Sequence, residues 1–398
     1  MKKTINNQPQ KGVLIAYGEM FLKSKRVKEI FQRQLISNLR FSLQKNEIKD
    51  YHLYCFRERI FLALGSEKER RGKEKKILKL IKKIFGISWF GEAFFFSSVQ
   101  LGEIVGFIGS NYQNWIDESE SFAIRLKLEK GFLRESREKV IEKIAHQIKR
   151  KVNLDNPDKE IFVEIRKNGA WIYLKKKKGA GGLPVGSSGK VLSLVSGGID
   201  SPVSSYLMAK RGAKNIWVHF HSFPLVSSAS IEKIRKLAEI FSNYQPNLKV
   251  YFVPFQDIQL EIKTKALPKY RVLLYRRAML KIGEEIAKKE ECQGLVTGES
   301  LGQVSSQTLN NLQITNQAVK MPIFRPLIGF DKEEIIKIAK KIKTFEISIL
   351  PHEDCCTLFV SPHQTAKGNF EIIKSLEKEI GFKSLFKKAI KEAKIEKF

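Results

Sequence analysis

The sequence predicts a multidomain protein in which two α+β units precede a doubly wound α/β unit built on a parallel sheet. Three observations carry this expectation. At 398 residues the chain exceeds what one hydrophobic core ordinarily serves. Its first half mixes helical and strand periodicities without regular alternation. Beyond a stretch rich in glycine and serine, short apolar runs alternate with amphipathic segments, the rhythm of βαβ units covered on both faces.

Taken in order, residues 12–18 (GVLIAYG) read as a buried strand, 21–45 (FLKSKRVKEIFQRQLISNLRFSLQK) as a basic amphipathic helix, and 51–64 (YHLYCFRERIFLAL) as one or two strands. Residues 74–87 (EKKILKLIKKIFGI) are helical, 88–98 extended, 121–129 (SFAIRLKLE) a strand, and 136–152 (SREKVIEKIAHQIKRKV) a helix. Alternation over 159–178 (KEIFVEIRKNGAWIYLKKKK) predicts a hairpin turning at Asn168-Gly169. The two α+β units are thus set at 1–76 and 77–178. Residues 179–190 (GAGGLPVGSSGK) form the linker. Its GSSGK imitates a phosphate-binding Walker loop, but that motif needs glycine where Pro184 stands and serine or threonine where Val191 stands. The α/β unit, 191–398, alternates VLSLV, SPVSSYLMAKRG, NIWVHFHSF, IEKIRKLAEIFSNY, LKVYFVPF, a long basic helix, GLVTGES and DKEEIIKIAKKIK.

Composition narrows the function. Against 42 Asp and Glu stand 72 Lys and Arg, a formal charge of +30 that gathers polyanions. Residues 1–90 alone carry 22 basic against 8 acidic side chains, whereas 91–120 contain no Lys or Arg, so the excess is localised as a docking surface requires. No 18-residue apolar run exists, and MKKTINNQPQKG lacks the apolar segment of an export signal, so neither a membrane partner nor export is expected and the location expected is the cytoplasm. Four cysteines, at 55, 292, 355 and 356, make neither a disulfide framework nor a C-x-x-C metal or cluster site, and no protein-held metal site is expected.

Chemistry concentrates at SGGIDS, 196–201. A glycine pair between a strand end and a helix start lets the backbone approach a ligand, lines up N–H groups, and adds the positive end of the helix. A bare Gly-Gly would serve equally as a turn with Asp200 or Ser201 as N-cap; the full pattern in its strand-loop-helix setting points to phosphate.

This loop matches the pyrophosphate loop of the PP-loop ATP pyrophosphatases. Together with GLPVGSSGKV, VTGESLGQVSSQT, RPLIGFDKEEI and ISILPHEDCCTLF in this order, and YGEMFLKSK near the start, it resembles the tRNA 4-thiouridine synthetases, or tRNA sulfurtransferases. The resemblance spans almost the whole chain. It implies a ferredoxin-like domain, a THUMP RNA-binding domain and a PP-loop domain of the adenine nucleotide alpha hydrolase-like class, at the boundaries given above. It also implies ATP and Mg2+ as cofactors and thiolation of a tRNA uridine: ATP adenylates uracil O4, and sulfur carried as a cysteine persulfide displaces AMP. By position in the motifs, Ser196, Gly197, Gly198 and Ser201 cradle phosphate, and Asp200 lies against the pyrophosphate and its metal. Leu194, Val195, His219, Phe220, Arg276, Gly298 and Gln307 correspond to nucleotide-contacting positions. Lys332 neutralises charge at the adenylation site.

Cys355 matches the catalytic cysteine, while Cys356 either resolves the mixed disulfide or is a core thiol; Cys55 and Cys292 are read as structural or incidental. The chain stops at Phe398, too soon after Cys356 for a rhodanese-like domain. The form without that domain is therefore expected, with sulfur arriving directly from a cysteine desulfurase or another donor and the link to thiazole synthesis left open. The tRNA is expected on Lys23, Lys25, Arg26 and Lys28 and on Lys175, Lys176, Lys177 and Lys178, by phosphate contact. A homodimer is implied by the resemblance alone. The rivals are a pyrophosphatase-family ligase with another substrate and an RNA-binding protein with a decayed catalytic domain; the intact SGGIDS opposes the latter.

Overall fold

The structure is a computed structural model that describes residues 9–19, 24–65, 72–351, 359 and 364–398. It divides into two compact units, residues 1–28 with 43–182 and residues 29–42 with 183–398.

The first unit runs β1 (Gln10–Tyr17), α1 (Lys25–Lys45), β2 (Tyr51–Cys55), β3 (Arg59–Leu64), α2 (Glu74–Ile81), β4 (Ile87–Phe96), α3 (Leu101–Asn111), β5 (Ser121–Leu128), α4 (Arg137–Ala145), β6 (Lys151–Val152), β7 (Lys159–Arg166), β8 (Gly169–Tyr173) and β9 (Lys177–Lys178), the central part of α1 being grouped with the second unit. Its strands make one nine-stranded sheet ordered β2-β3-β1-β4-β8-β7-β5-β6, with β9 also paired to β4. The boundary expected at 76/77 falls inside α2. Because β4 pairs antiparallel along the whole of β1, one sheet runs through both α+β segments.

Several elements depart from the sequence expectation for local reasons. Helix α2 stops at Ile81 rather than 87, because the chain turns to Gly86 at φ +97°, a backbone that favours glycine. Helix α4 begins at the N-cap Ser136, whose hydroxyl accepts from the Lys139 amide, and ends at Ala145; Lys151 and Val152 instead pair in parallel with β5. The hairpin turns on Lys167 and Asn168, and Gly169 is already paired with Arg166. Gly169 sits at φ +145°, and a Cβ there would lie 2.4 Å from a Phe95 ring carbon. Helix α3 was not foreseen: Gly102, Gly106 and Gly109 dilute its propensity, and Ile104 and Ile108, fully buried, hold it in place.

The second unit follows with β10 (Lys190–Leu194), α5 (Asp200–Lys210), β11 (Lys214–His221), α6 (Ala229–Phe241), β12 (Lys249–Pro254), α7 (Gln256–Lys265), α8 (Arg271–Lys289), β13 (Leu295–Val296), α9 (Leu309–Asn316), β14 (Ile323–Phe324), α10 (Lys332–Ile342), α11 (Phe345–Ser348), α12 (Phe370–Ile380), α13 (Lys383–Glu392) and β15 (Lys394–Lys397). The expected linker is seated on this unit: Leu183 and Val185 are buried, Leu183 bridges to Arg211, and Val185 accepts a hydrogen bond from Asn38 on α1.

The sheet order is β14-β13-β10-β11-β12-β15, parallel except for the antiparallel edge strand β15. Strand succession leaves β10 toward β11 and β12 on one side and later fills β13 and β14 on the other. The order therefore reverses at β10, and in such sheets ligands bind beyond the carboxyl ends of the strands flanking the reversal. A core of Leu192, Val218, Tyr251, Leu274, Tyr275 and Leu295 closes the sheet against α8.

Candidate active site

The chain leaves β10 at Leu194 and enters α5 at Asp200, so residues 195–199 form the turn over the reversal point. Hydroxyls brace this turn from within: the Ser196 amide donates to Ser201 Oγ at 3.1 Å, and the Gly198 amide to Ser196 Oγ at 3.3 Å. Neither Gly197 nor Gly198 adopts left-handed backbone. A Cβ on Gly198 would meet only Ser196 Oγ, at 3.4 Å, so the protein's own packing does not demand glycine there. What glycine leaves open is the surface facing the cavity.

That cavity, about 190 Å3, is lined by Leu194, Val195, Ser196, Gly198, Asp200 and Ser201 after β10, His219 and Phe220 on β11, Arg276, Met279 and Leu280 on α8, and Thr297, Gly298, Glu299 and Gln307 after β13. Of the expected nucleotide positions, all but Gly197 line it. Apolar side chains and a ring of hydroxyls, amides and charges give it the mixed character of a nucleotide site. The loops meet closely: a Cβ on Gly298 would fall 2.9 Å from the Ser201 amide nitrogen and 3.0 Å from the Asp200 carbonyl carbon. Ser204 of α5 adds a hydrogen bond to the Thr297 carbonyl at 2.8 Å.

Two charged groupings flank the cavity. Asp200 accepts from Lys332 Nζ at 2.6 Å and from Gln303 Nε2 at 2.9 Å. Lys332 is the first residue of α10, whose start is fixed by a capping box between Asp331 and Glu334. It pairs with a carboxylate 132 positions away and not with the glutamates beside it. On the other flank Glu299 accepts from Arg276 at 2.7 Å through one oxygen, and from Arg325 at 2.6 Å and Thr297 at 2.8 Å through the other. The Gln307 side-chain oxygen accepts from the Ser300 amide at 3.3 Å and orders that loop.

His219 is a committed core imidazole, with Nδ1 2.9 Å from the Val195 carbonyl and Nε2 3.4 Å from Ser230 Oγ. Burial, then His219 and Lys394, push its neighbour His221 down to about 4, leaving that imidazole neutral at pH 7. Glu299, Thr297, Met279, Leu280, Gln303 and Arg325 were not singled out from sequence. Met279 and Leu280 stand three and four residues beyond Arg276, one face of a helix, which was the signal available for them.

Cys355, Cys356 and Lys23 lie outside the described residues. Cys292 is buried, and burial followed by Glu290 pushes its thiol up to about 11, which keeps it protonated and unreactive; Cys55 is exposed. Among the basic positions expected to hold RNA, Lys25 and Arg26 are exposed and Lys28 half-buried at the start of α1. Lys175, Lys177 and Lys178 are exposed, the last two within β9. Lys176 instead rests its ammonium 3.9 Å from the centre of the Phe162 ring, near Tyr173 and Trp89. No helix among the described residues is long and apolar enough to cross a membrane.

Three family models match in sequence: the ThiI ferredoxin-like domain over residues 12–91, the THUMP domain over 111–175, and the thiamine biosynthesis protein (ThiI) model over 186–382. A relative from Thermoanaerobacter sp. (strain X514), named "Probable tRNA sulfurtransferase", is 39% identical over 375 residues, 93% of this chain and 95% of that protein. The chain belongs to the tRNA sulfurtransferase family. A family member of the same name from Thermus thermophilus is 46% identical over 61% of this chain and 60% of its own. A crystal structure of a 4-thiouridine synthetase–RNA complex with bound ATP superposes with a TM-score of 0.86 at 29% identity, covering 98% of this chain and all of that one. The ferredoxin-like, THUMP and PP-loop architecture expected for a tRNA sulfurtransferase is thus present in this order.

Proposed function

We propose that this protein catalyses ATP-dependent sulfur transfer to a uridine of tRNA, forming 4-thiouridine. The observation that carries this is the coincidence, in a member of this family, of a cavity at the sheet reversal with the expected nucleotide positions, bordered by the Asp200–Lys332 pair.

In this reading ATP lies against the turn 195–201, its base among Leu194, Phe220 and Met279 and its phosphates toward the start of α5, where the positive helix end favours them. Uracil O4 attacks the α-phosphorus, pyrophosphate leaves, and Lys332 steadies the charge that develops. A persulfide on Cys355 then attacks C4 with its outer sulfur, AMP departs, and a second thiol takes the Cys355 sulfur as a disulfide, leaving sulfur on C4. Cys356 adjoins it and is the candidate second thiol; a donor protein of the cysteine desulfurase class reloads the persulfide.

Among the described residues no group of three His, Cys, Asp or Glu side chains could hold a metal unaided. Mg2+ needs no such group, since it binds through one carboxylate and the substrate's phosphates. Asp200 fits that role, whereas both oxygens of Glu299, the other carboxylate of the cavity, are taken by cations and a hydroxyl. Bound there, Mg2+ would neutralise phosphate charge.

Lys25, Arg26, Lys28 and the 175–178 run supply the phosphate contacts, with a homodimer as the working assembly and the cytoplasm as its place. The test is transcribed tRNA incubated with protein, ATP, Mg2+ and a sulfide source, followed by nucleoside mass spectrometry. Gain of 4-thiouridine is expected, with Cys355→Ser still releasing pyrophosphate but forming none. Absence of thiouridine with the wild-type protein defeats the proposal.

A further inference from the structure

We infer that Glu299 is a positioning residue for the nucleotide, acting through Arg276. This rests on the reading of the cavity as the ATP site and adds to it a residue whose task is to aim another. Arg276 projects from α8 into the cavity wall, and an unsupported arginine spreads over many rotamers. Glu299 removes that freedom. Its side chain is 9% exposed, and its first oxygen holds the Arg276 guanidinium at 2.7 Å. The second is pinned from behind by Arg325 at 2.6 Å and Thr297 at 2.8 Å, and Arg325 is itself tied to Asn316 on α9 at 3.1 Å. Glu299 is therefore immobile, and it transmits the framework of α9 and β14 to a side chain on α8.

The same contacts exclude other tasks. A general base or a metal ligand needs a lone pair facing the substrate, and here both oxygens already accept from charged or hydroxyl donors. Two guanidiniums against one carboxylate leave the grouping net positive, as a polyphosphate site requires. Arg276 bonds Glu299 through one of its terminal nitrogens, and a guanidinium carries five donors, so the anchored arginine keeps donors for a ligand.

The experiment is calorimetric titration of the full-length protein with ATP, for wild type, Glu299→Gln, Arg276→Ala and the double variant. Fixing one rotamer-rich side chain in advance contributes roughly fivefold to tenfold in affinity, so Glu299→Gln weakens the Kd for ATP about that much, with unchanged stoichiometry. In the Arg276→Ala background the same change has under about twofold effect, because the side chain it aims is gone. Equal losses in both backgrounds, an unchanged or tighter Kd, or a loss confined to stoichiometry each overturn the inference, the last by revealing damaged folding instead. Glu299→Asp keeps the buried charge balanced while withdrawing the carboxylate, so it folds where Gln does not, and it shows the same dependence on Arg276. Failure of the wild type to bind ATP at all would strike the site reading and not this step.

Discussion

Replacing Lys332 with methionine separates a structural ion pair from a catalytic charge, because the two roles differ in magnitude. Lys332 Nζ lies 2.6 Å from Asp200, but the side chains are 44% and 20% exposed, so water screens the pair. Such pairs contribute about 0.2–1 kcal/mol to stability. In a unit of this size, that shifts the melting temperature by no more than about 2–4 °C. A cation placed where charge develops in the transition state is worth more: losing one such group lowers kcat about 100- to 1,000-fold, or about 2.7–4 kcal/mol. We therefore expect Lys332→Met to melt within about 4 °C of wild type while tRNA-dependent pyrophosphate release falls at least about 100-fold. The assay pairs thermal unfolding with pyrophosphate detection at saturating ATP. A fall in kcat below about tenfold, or a melting shift large enough to account for the loss, would refute the assignment.

Gly298→Ala brings a Cβ within 3.0 Å of the backbone at Asp200 and Ser201, forcing the two cavity loops apart; an overpacking strain of about 1–3 kcal/mol is expected, with ATP affinity lost before secondary structure, as titration and circular dichroism would show. Glu164 is buried and accepts from Arg59 at 2.9 Å and from Tyr173 at 2.9 Å; burial alone would raise its pKa, but Arg59 first and then Tyr173 and Arg166 hold it below the usual carboxylate range. Since the folded value is the lower one, its contribution is full above the unfolded carboxylate value of about 4.3 and is lost as pH falls through the folded value. Glu164→Gln should accordingly cost about 3–5 kcal/mol in urea unfolding at pH 7 and show a shallower loss between pH 5 and 3; an unchanged acid profile would count against the pairing. Binding of tRNA should weaken steeply with salt, and changing Lys175, Lys177 and Lys178 together to glutamine should lower the log–log slope by about 2–3; an identical slope would mark them as ordinary solvated surface.

What could be read ahead of the structure was whatever local pattern dictates. VLSLV followed by SGGIDS announced a strand, a turn and a helix start, because apolar continuity, paired glycines and an N-cap residue each act within a few positions. The edges of the reading failed where a distant partner decided the outcome. Lys151 and Val152 carry a helical pattern but are captured by β5, and three glycines in α3 are outweighed by the burial of Ile104 and Ile108. At the site, Asp200 and Lys332 were named separately from motifs, yet nothing in either segment announces that they touch. Glu299 shows the limit most plainly: in GES it reads as a loop acid, and only folding brings Arg276 and Arg325 onto its two oxygens.

The arrangement also explains how a site built for a polyanion tolerates two carboxylates in its wall. A bare aspartate or glutamate beside triphosphate would repel it strongly in so sheltered a place. Here each is covered by a cation on the cavity side, and the two cations are of different kinds. Lys332 is a compact ammonium with three rotatable donors, able to contact Asp200 and a phosphate oxygen together while that oxygen changes position during adenylation. Arg276 is a rigid fork, clamped by Glu299, suited to a ligand group that stays still. Mobility is thus placed where bonds form and break, and rigidity where the nucleotide is only held. Exchanging the two, with arginine at 332 and lysine at 276, preserves every formal charge, and on this argument it would still impair turnover and affinity together.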